Sequence, residues 1–135
     1  MKRAALLLAP LAALAGCGNP GGDLIAIEKR QGGAVIKLVV TDDGRGSCGG
    51  GELQRLESDR LLDAREVERE MEALPGERAS YAGLPGASSY RAVMRDATVT
   101  WAEGAKGAPP VINKATALAY RLDRALCPHV AGVAP

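Results

Sequence analysis

Aromatic side chains are scarce in this chain of 135 residues. It contains no Phe, one Trp and three Tyr, so its core has to be built from Leu, Ile, Val and Ala. These side chains bury less apolar area each than aromatic ones do. We therefore expect a small core and a modest free energy of unfolding.

Residue patterns typical of metal and catalytic sites are missing as well. The single histidine, His129, lies two residues after Cys127, and no Cys-x-x-Cys spacing occurs, so the ligand spacing of a structural zinc site is absent. The glycines around Cys48 are not followed by the Lys-Ser or Lys-Thr of a phosphate-binding loop. Asp42 and Asp43 fall in a turn, where solvated carboxylates have little reason for a shifted pKa. We expect neither a cofactor nor an enzymatic activity.

Long apolar runs are also missing, apart from one near the start of the chain. Residues 4–16 are all Leu, Ala, Pro or Gly, but this run is too short for a membrane-spanning helix, which needs about 20 residues. It follows Lys2 and Arg3 and ends in small residues before Cys17, which are the three parts of an export signal. One interpretation is an ordinary secretory signal with a chance cysteine near the cleavage point.

The segment 14–17, Leu-Ala-Gly-Cys, resembles the lipobox of bacterial lipoproteins. The resemblance implies that residues 1–16 are removed as a signal peptide and that the Cys17 thiol carries a diacylglyceryl group. Two or three acyl chains suffice for stable anchoring, so we expect the protein on the cell membrane or the outer membrane, facing the extracytoplasmic side. Residues 17–23 are then the lipidated cysteine and a flexible tether.

The mature chain is close to neutral. Removal of Lys2 and Arg3 takes the formal net charge from +1 to −1. A near-neutral chain gives no electrostatic reason to expect binding to nucleic acid or broad adhesion to anionic lipid headgroups. Apart from the membrane that holds its anchor, the partner we expect is an envelope protein or a cell-wall component.

The cysteine count becomes even once Cys17 is assigned to lipid. Cys48 and Cys127 are then a pair in a protein that folds outside the reducing cytosol, which favours a disulfide between them. Such a bridge restricts the unfolded chain by roughly 4 kcal/mol in the loop-entropy description. The alternative is two independent buried thiols.

The pattern of apolar residues changes along the chain between the periods of strands and helices. Two strands, at 24–28 and Ala34–Thr41, are followed by a turn at 42–45 whose Asp-Gly pair favours type I′. A third strand passes through Ser47 and Cys48. The later elements are a helix from Ser58 to about 74, a long loop at 76–89, a hairpin of 90–95 with Thr98–Ala102, and a helix at 111–126.

This order predicts an α+β fold. We expect an antiparallel sheet of four or five strands with two helices packed on one face, forming a single domain over residues 24–128. Residues 129–135 are expected to be a loose tail.

The strand from Ile27 into Gly32-Gly33, the strand at 90–96 and Pro110 before the last helix together resemble the small emfourin-like inhibitors of metalloproteases. The resemblance implies protease inhibition on the outer side of the membrane as one possible activity, and it assigns no functional residue. An anchor, a tether and a domain without catalytic groups favour a different function. We expect a non-catalytic cell-envelope lipoprotein that binds an envelope protein or a cell-wall component.

Overall fold

Alternating apolar residues form one sheet that organises the rest of the domain. The computed structural model describes residues 22–76 and 78–128. Within them, seven strands lie in the spatial order β4-β3-β2-β1-β6-β7-β5. In chain order the elements are β1 (Asp23–Gln31), β2 (Ala34–Thr41), β3 (Arg45–Cys48), β4 (Gln54–Arg55), α1 (Ser58–Glu72), β5 (Arg78–Tyr81), β6 (Ser89–Val93), β7 (Thr98–Ala102) and α2 (Pro110–Leu126).

The predicted α+β class is confirmed, but the predicted sheet of four or five antiparallel strands is wrong in two respects. The sheet has seven strands among the described residues, and it is mixed, because β5 runs parallel to β7. The two unexpected strands are short: β4 has two residues, and β5 lies in the segment 76–89 that the sequence predicts to be a loop. Neither is long enough to show a convincing alternation, so their pairing depends on backbone hydrogen bonds to a neighbouring strand.

The two tight turns of the first three strands differ from each other. Gly32 and Gly33 both have positive φ, as a type I′ turn between β1 and β2 requires. At the next turn only Gly44 has positive φ, and its N–H donates to the Thr41 carbonyl over 3.1 Å. This is a three-residue loop closed by a glycine, and the predicted type I′ turn is therefore wrong. The Asp43 carboxylate contributes to the difference, because it accepts hydrogen bonds from the side chains of Thr41 and Arg45.

One face of the sheet is covered by both helices, as predicted. In the strand register Ile27 lies opposite Leu38 on β2 and Ala92 on β6. These inward side chains form a single core with the apolar stripes of α1 and α2. The largest side chains that are fully buried come from three strands and both helices: Ile25, Ile27, Leu38, Met71, Leu118, Leu122, Val40 and Val99.

The two helices pack side by side in opposite directions, and ion pairs cross between them. Arg121 near the end of α2 lies 2.9 Å from Asp63 near the start of α1. Lys114 near the start of α2 lies 2.6 Å from Glu66 and 2.8 Å from Glu70. Pairs this exposed contribute little individually, so the burial of apolar surface has to supply most of the stability.

The lone tryptophan joins α2 to the sheet. Trp101 on β7 is buried and stacks on Tyr90 of β6, with ring centroids 5.2 Å apart. Its indole N–H donates to the Thr116 hydroxyl of α2 over 2.9 Å. The same helix covers the inward-pointing Lys29, whose ammonium lies 4.3 Å from the centre of the Tyr120 ring. This cation–π contact offsets part of the cost of burying the charge.

We expect Leu118→Ala or Leu122→Ala to lower the free energy of unfolding by about 2–5 kcal/mol, because each leucine side chain is fully buried. Urea denaturation measures the change. Leu62→Ala is the matched control, since that side chain on α1 is 64% exposed, and it should change stability by less than about 0.5 kcal/mol. Losses that small at both buried positions would contradict the packing of α2 on the sheet.

Candidate functional site

The residues singled out from the sequence divide into those that the structure describes and those that it does not. Cys17, the predicted signal segment 1–16 and the predicted tail 129–135 with His129 lie outside the described residues. In the part of the chain that is described, no helix is long and apolar enough to cross a membrane. No group of three or more His, Cys, Asp or Glu side chains in that part could hold a metal ion.

Cys48 and Cys127 are joined by a disulfide, which is the pair that the cysteine count predicts. Their Cα atoms are 5.2 Å apart, and the bridge ties the end of β3 to the residue that follows α2. Gly46 allows this approach, because a Cβ there would lie 2.8 Å from the side chain of Leu126. The Gln54 side chain adds a hydrogen bond to the Leu126 carbonyl over 3.4 Å. The bridge therefore closes one end of the sheet against the last helix.

Asp42 and Asp43 occupy the turn, as predicted, but the expectation of an unshifted pKa is wrong for Asp43. Hydrogen bonds from Arg45 and then Thr41 lower the pKa of the Asp43 carboxyl. A carboxylate held in its charged form is poorly suited to act as a general acid. Its contacts make Asp43 a structural part of the turn.

The sheet face away from the helices is open and carries charged and hydroxyl side chains. We call it the open face. The strand register places Glu28 of β1 between Lys37 of β2 and Arg91 of β6. The same row continues through Thr100 of β7 to Ser80 of β5. One polar row thus crosses five strands without interruption.

Three arginines share a shallow groove on this face. A depression of about 300 Å³ is lined by Arg30 and Arg91, and a second of about 310 Å³ is lined by Arg91 and Arg78. Both depressions also contain Ser80 and Thr100, so they form one continuous feature, which we call the arginine groove. No carboxylate lines either depression. Arg30 lies 3.6 Å from Glu28, whereas Arg78 and Arg91 form no ion pair with any residue that the structure describes.

Buried neighbours hold the groove arginines in place. Arg30 follows Lys29, which lies under the Tyr120 ring, and Arg91 follows Tyr90, which stacks on Trp101. Burial raises the pKa of the Tyr90 phenol. Because adjacent residues on a strand point to opposite faces, the packing beneath α2 fixes the backbone from which the arginines project outward.

An apolar row runs beside the polar one. Ala26 lies between Val39 of β2 and Val93 of β6 in the register. Val93 is 36% exposed, and Val35, next to Arg30 on the adjacent strand, is 53% exposed. The open face therefore offers apolar contact next to its positive charge.

Carboxylates gather at the end of the domain where β1 begins, and we call this cluster the acidic end. Asp23, Asp42, Glu68, Glu72, Asp96 and one arginine, Arg95, surround a depression of about 190 Å³ with Leu24. Burial, with the charges of Glu72 and Asp42, raises the pKa of Glu68. Positive and negative charge are thus separated in space on a chain whose net charge is small.

Sequence reasoning missed the open face, although the signal was present. In β1 and β2 the residues that alternate with the core positions include Glu28, Arg30 and Lys37, and in β6 they include Arg91. Their placement on one surface depends on the order of the strands. Arg78 could not have been added, because β5 was not expected.

We expect no free thiol from Cys48 or Cys127 when the unreduced Cys17→Ser protein is unfolded and titrated with a maleimide. The Cys17→Ser change removes the third thiol from the count. Reduction should lower the melting temperature, since loss of a native bridge costs about 2–5 kcal/mol. Two reactive thiols per unreduced chain would show that the bridge does not form.

The acidic end should make stability depend on pH in a defined direction. The raised pKa of Glu68 means that its charged form destabilises the folded chain, so Glu68→Gln should raise the melting temperature at neutral pH. Glu66→Gln on the same helix is the matched control. Lys114 lowers the pKa of Glu66, so that substitution should lower the melting temperature. The Glu68 difference should disappear once the pH falls below the ordinary pKa of the unfolded carboxyl, whereas the Glu66 difference should persist to lower pH, until the lowered folded pKa of Glu66 is passed. Shifts of the same sign for both variants would contradict this assignment.

No protein-family model, curated protein or solved structure matches this chain. Its function therefore has to be inferred from its own surfaces. Among the described residues, the open face combines unpaired positive charge, hydroxyl groups and exposed apolar side chains in one place.

Proposed function

We propose that this chain is a cell-envelope lipoprotein, anchored through Cys17, whose domain binds an envelope protein or a cell-wall component without catalysing a reaction. The open face is the observation that carries the binding part of the proposal. One side of the sheet is buried under two helices, while the other carries the arginine groove. The lipobox at 14–17 supports the anchor.

A solvated sheet face is common in proteins, so the arrangement of charge on this one has to be considered. Alternating signs would stabilise such a face through cross-strand pairs. Here Arg30, Arg78 and Arg91 surround one groove whose two depressions are lined by no carboxylate of the described residues, while Glu28 lies beside Arg30 and Asp96 lies near Arg78. Arg30 and Arg91 lie on adjacent strands two residues out of register. Charges within about 10 Å of each other are incompletely screened, so these two arginines repel each other, and an anionic partner would relieve that repulsion. Arginine also suits binding because its planar guanidinium forms paired hydrogen bonds.

The position of β1 supports a partner close to the membrane. Asp23 is the first residue of β1, and at most about 20 Å of extended chain separates it from Cys17. The domain is thereby limited to partners that lie at the membrane surface or in the adjacent wall. A short tether also raises the effective concentration of the domain for such partners.

Metalloprotease inhibition is the alternative that the sequence suggests. The segments that carry the emfourin-like resemblance form β1, β6 and the start of α2. No residue is assigned to contact a protease, so this alternative depends on the order of elements alone. Inhibition of a metalloprotease at micromolar concentration by the purified chain would favour it over the proposed function.

The proposal predicts two results in cells that express the chain. Labelling with a fatty-acid probe should mark the wild-type protein and not Cys17→Ser, because the thiol is the group that takes the lipid. A benzophenone amino acid replacing Val93 on the open face should form an adduct with a defined envelope component. The same group replacing the exposed Asn113 on α2 is the control, and it should form none.

Equal label on the wild-type and Cys17→Ser proteins would refute the lipid anchor. Equal adducts from positions 93 and 113, or none from either, would refute binding through the open face. The two parts of the proposal are tested independently, since the adduct requires no lipid and the label requires no partner.

A further inference from the structure

We infer that the arginine groove binds an acidic segment of a protein, with the carboxylates of that segment held by Arg30, Arg78 and Arg91. The inference rests on the proposed binding function and specifies the chemistry of the partner. It is carried by the placement of three arginines and the hydroxyl groups between them on the open face.

The spacing of the arginines fits an extended peptide that crosses the strands. Arg30 lies on β1, Arg91 on the adjacent β6, and Arg78 on β5, two strands further. Neighbouring strands are about 4.8 Å apart, and the register offsets Arg91 from Arg30 by two residues along the strands and Arg78 from Arg91 by two more. At about 3.3 Å per residue, the groove therefore runs diagonally across the strands and spans about 20 Å from the first arginine to the last. About six residues of extended chain cover this length, and carboxylates about two to four positions apart in such a segment would meet successive arginines.

The groups that line the groove match the chemistry of a carboxylate-bearing peptide. A guanidinium binds a carboxylate through two parallel N–H···O bonds. Ser80 and Thr100 lie between the arginines, and their hydroxyl groups can donate hydrogen bonds to peptide carbonyls or accept them from peptide N–H groups. Because Arg78 and Arg91 have no ion pair among the described residues, a carboxylate can bind these two without breaking an existing pair, and only Arg30 is already paired, with Glu28 at 3.6 Å.

Two observations favour a protein segment over a uniformly charged polymer. Exposed Val93 and Val35 flank the arginines and offer apolar contacts that a sugar-phosphate chain cannot use. Carboxylates also lie close to the groove, with Glu28 beside Arg30 at one end. At the other end a depression of about 460 Å³ is lined by Arg78, Val93 and Asp96. A polymer with charge at every unit would meet these carboxylates, whereas a peptide can place neutral or basic residues there.

An anionic membrane is a poorer fit for the same surface. Asp23, at the start of β1, belongs to the acidic end, so carboxylates lie beside the point from which the tether leaves. Anionic headgroups near the anchor would be repelled at that point. A discrete segment that reaches only the arginine groove avoids this repulsion.

The test uses the full chain in nonionic detergent and a fluorescent peptide of alternating Glu and Val, eight residues long. Fluorescence polarisation should show binding that weakens with added salt. A peptide with Gln in place of Glu should not bind. The variant Arg30→Gln/Arg78→Gln/Arg91→Gln should raise Kd by at least about tenfold, which corresponds to about 1.4 kcal/mol.

Matched variants separate a specific groove from general charge attraction and from loss of folding. Arg69→Gln/Lys106→Gln/Arg124→Gln removes the same charge from exposed positions elsewhere and should change Kd less than about twofold. Arg91→Gln alone should weaken binding measurably if the triple variant unfolds, because Arg91 lines both depressions. Circular dichroism and the emission of Trp101 verify the fold of each variant.

Failure of the acidic peptide to bind, or equal weakening by both triple variants, would overturn the inference. Tighter binding of a single-stranded oligonucleotide or of vesicles rich in phosphatidylglycerol, lost in the groove variant, would also overturn it in favour of a phosphate ligand. The proposed function is tested separately by the adduct from position 93. An adduct without peptide binding would refute only the acidic chemistry, and absence of the adduct would refute the binding function itself.

Discussion

The whole domain depends on the burial of one side of a sheet whose strands carry most of their apolar side chains on that side. Ile25, Ile27, Leu38 and Val40 give β1 and β2 a continuous apolar surface, and β6 and β7 extend it with Ala92 and Val99. A single helix is about 10 Å wide, which is too narrow to cover a sheet of this width, so two helices are needed. Both must lie on the same side, because the opposite side has no comparable apolar surface to bury.

Placing two helices on one side determines how they meet. Their apolar stripes face the sheet, and their charged margins are brought together, with Lys114 and Arg121 of α2 next to carboxylates of α1. The Cys48–Cys127 bridge then closes the outer end of α2 against β3. The region left without such support is the far edge, where β5 pairs only with β7 among the described strands. Local opening should therefore be easiest at β5.

The sequence predicted the parts of the fold that have local causes. Apolar periodicity and glycine placement predicted the hairpin of β1 and β2, the two helices and the second hairpin. The even number of cysteines that remains once Cys17 is assigned to lipid predicted the Cys48–Cys127 pair. Gln54–Arg55 and Arg78–Tyr81 could not be predicted, because strands this short are formed by their pairing with distant partners. The arginine groove was missed for a related reason. Arg30, Arg91 and Arg78 are far apart in the chain, and they come together only because the strand order is β1-β6-β7-β5.

The strand register links the core and the open face. In β1, Lys29 points inward under Tyr120, and the next residue, Arg30, points outward into the groove. The register of β1 in the sheet therefore sets the positions of both side chains. A shift of β1 by one residue would send Arg30 into the core and expose Ile27. Any substitution that loosened this register would therefore impair stability and binding together. The outward residues of β1, β5 and β6 could therefore change during evolution to suit a new partner without disturbing the core. An insertion within one of these strands would instead abolish both the stability of the fold and binding through the open face.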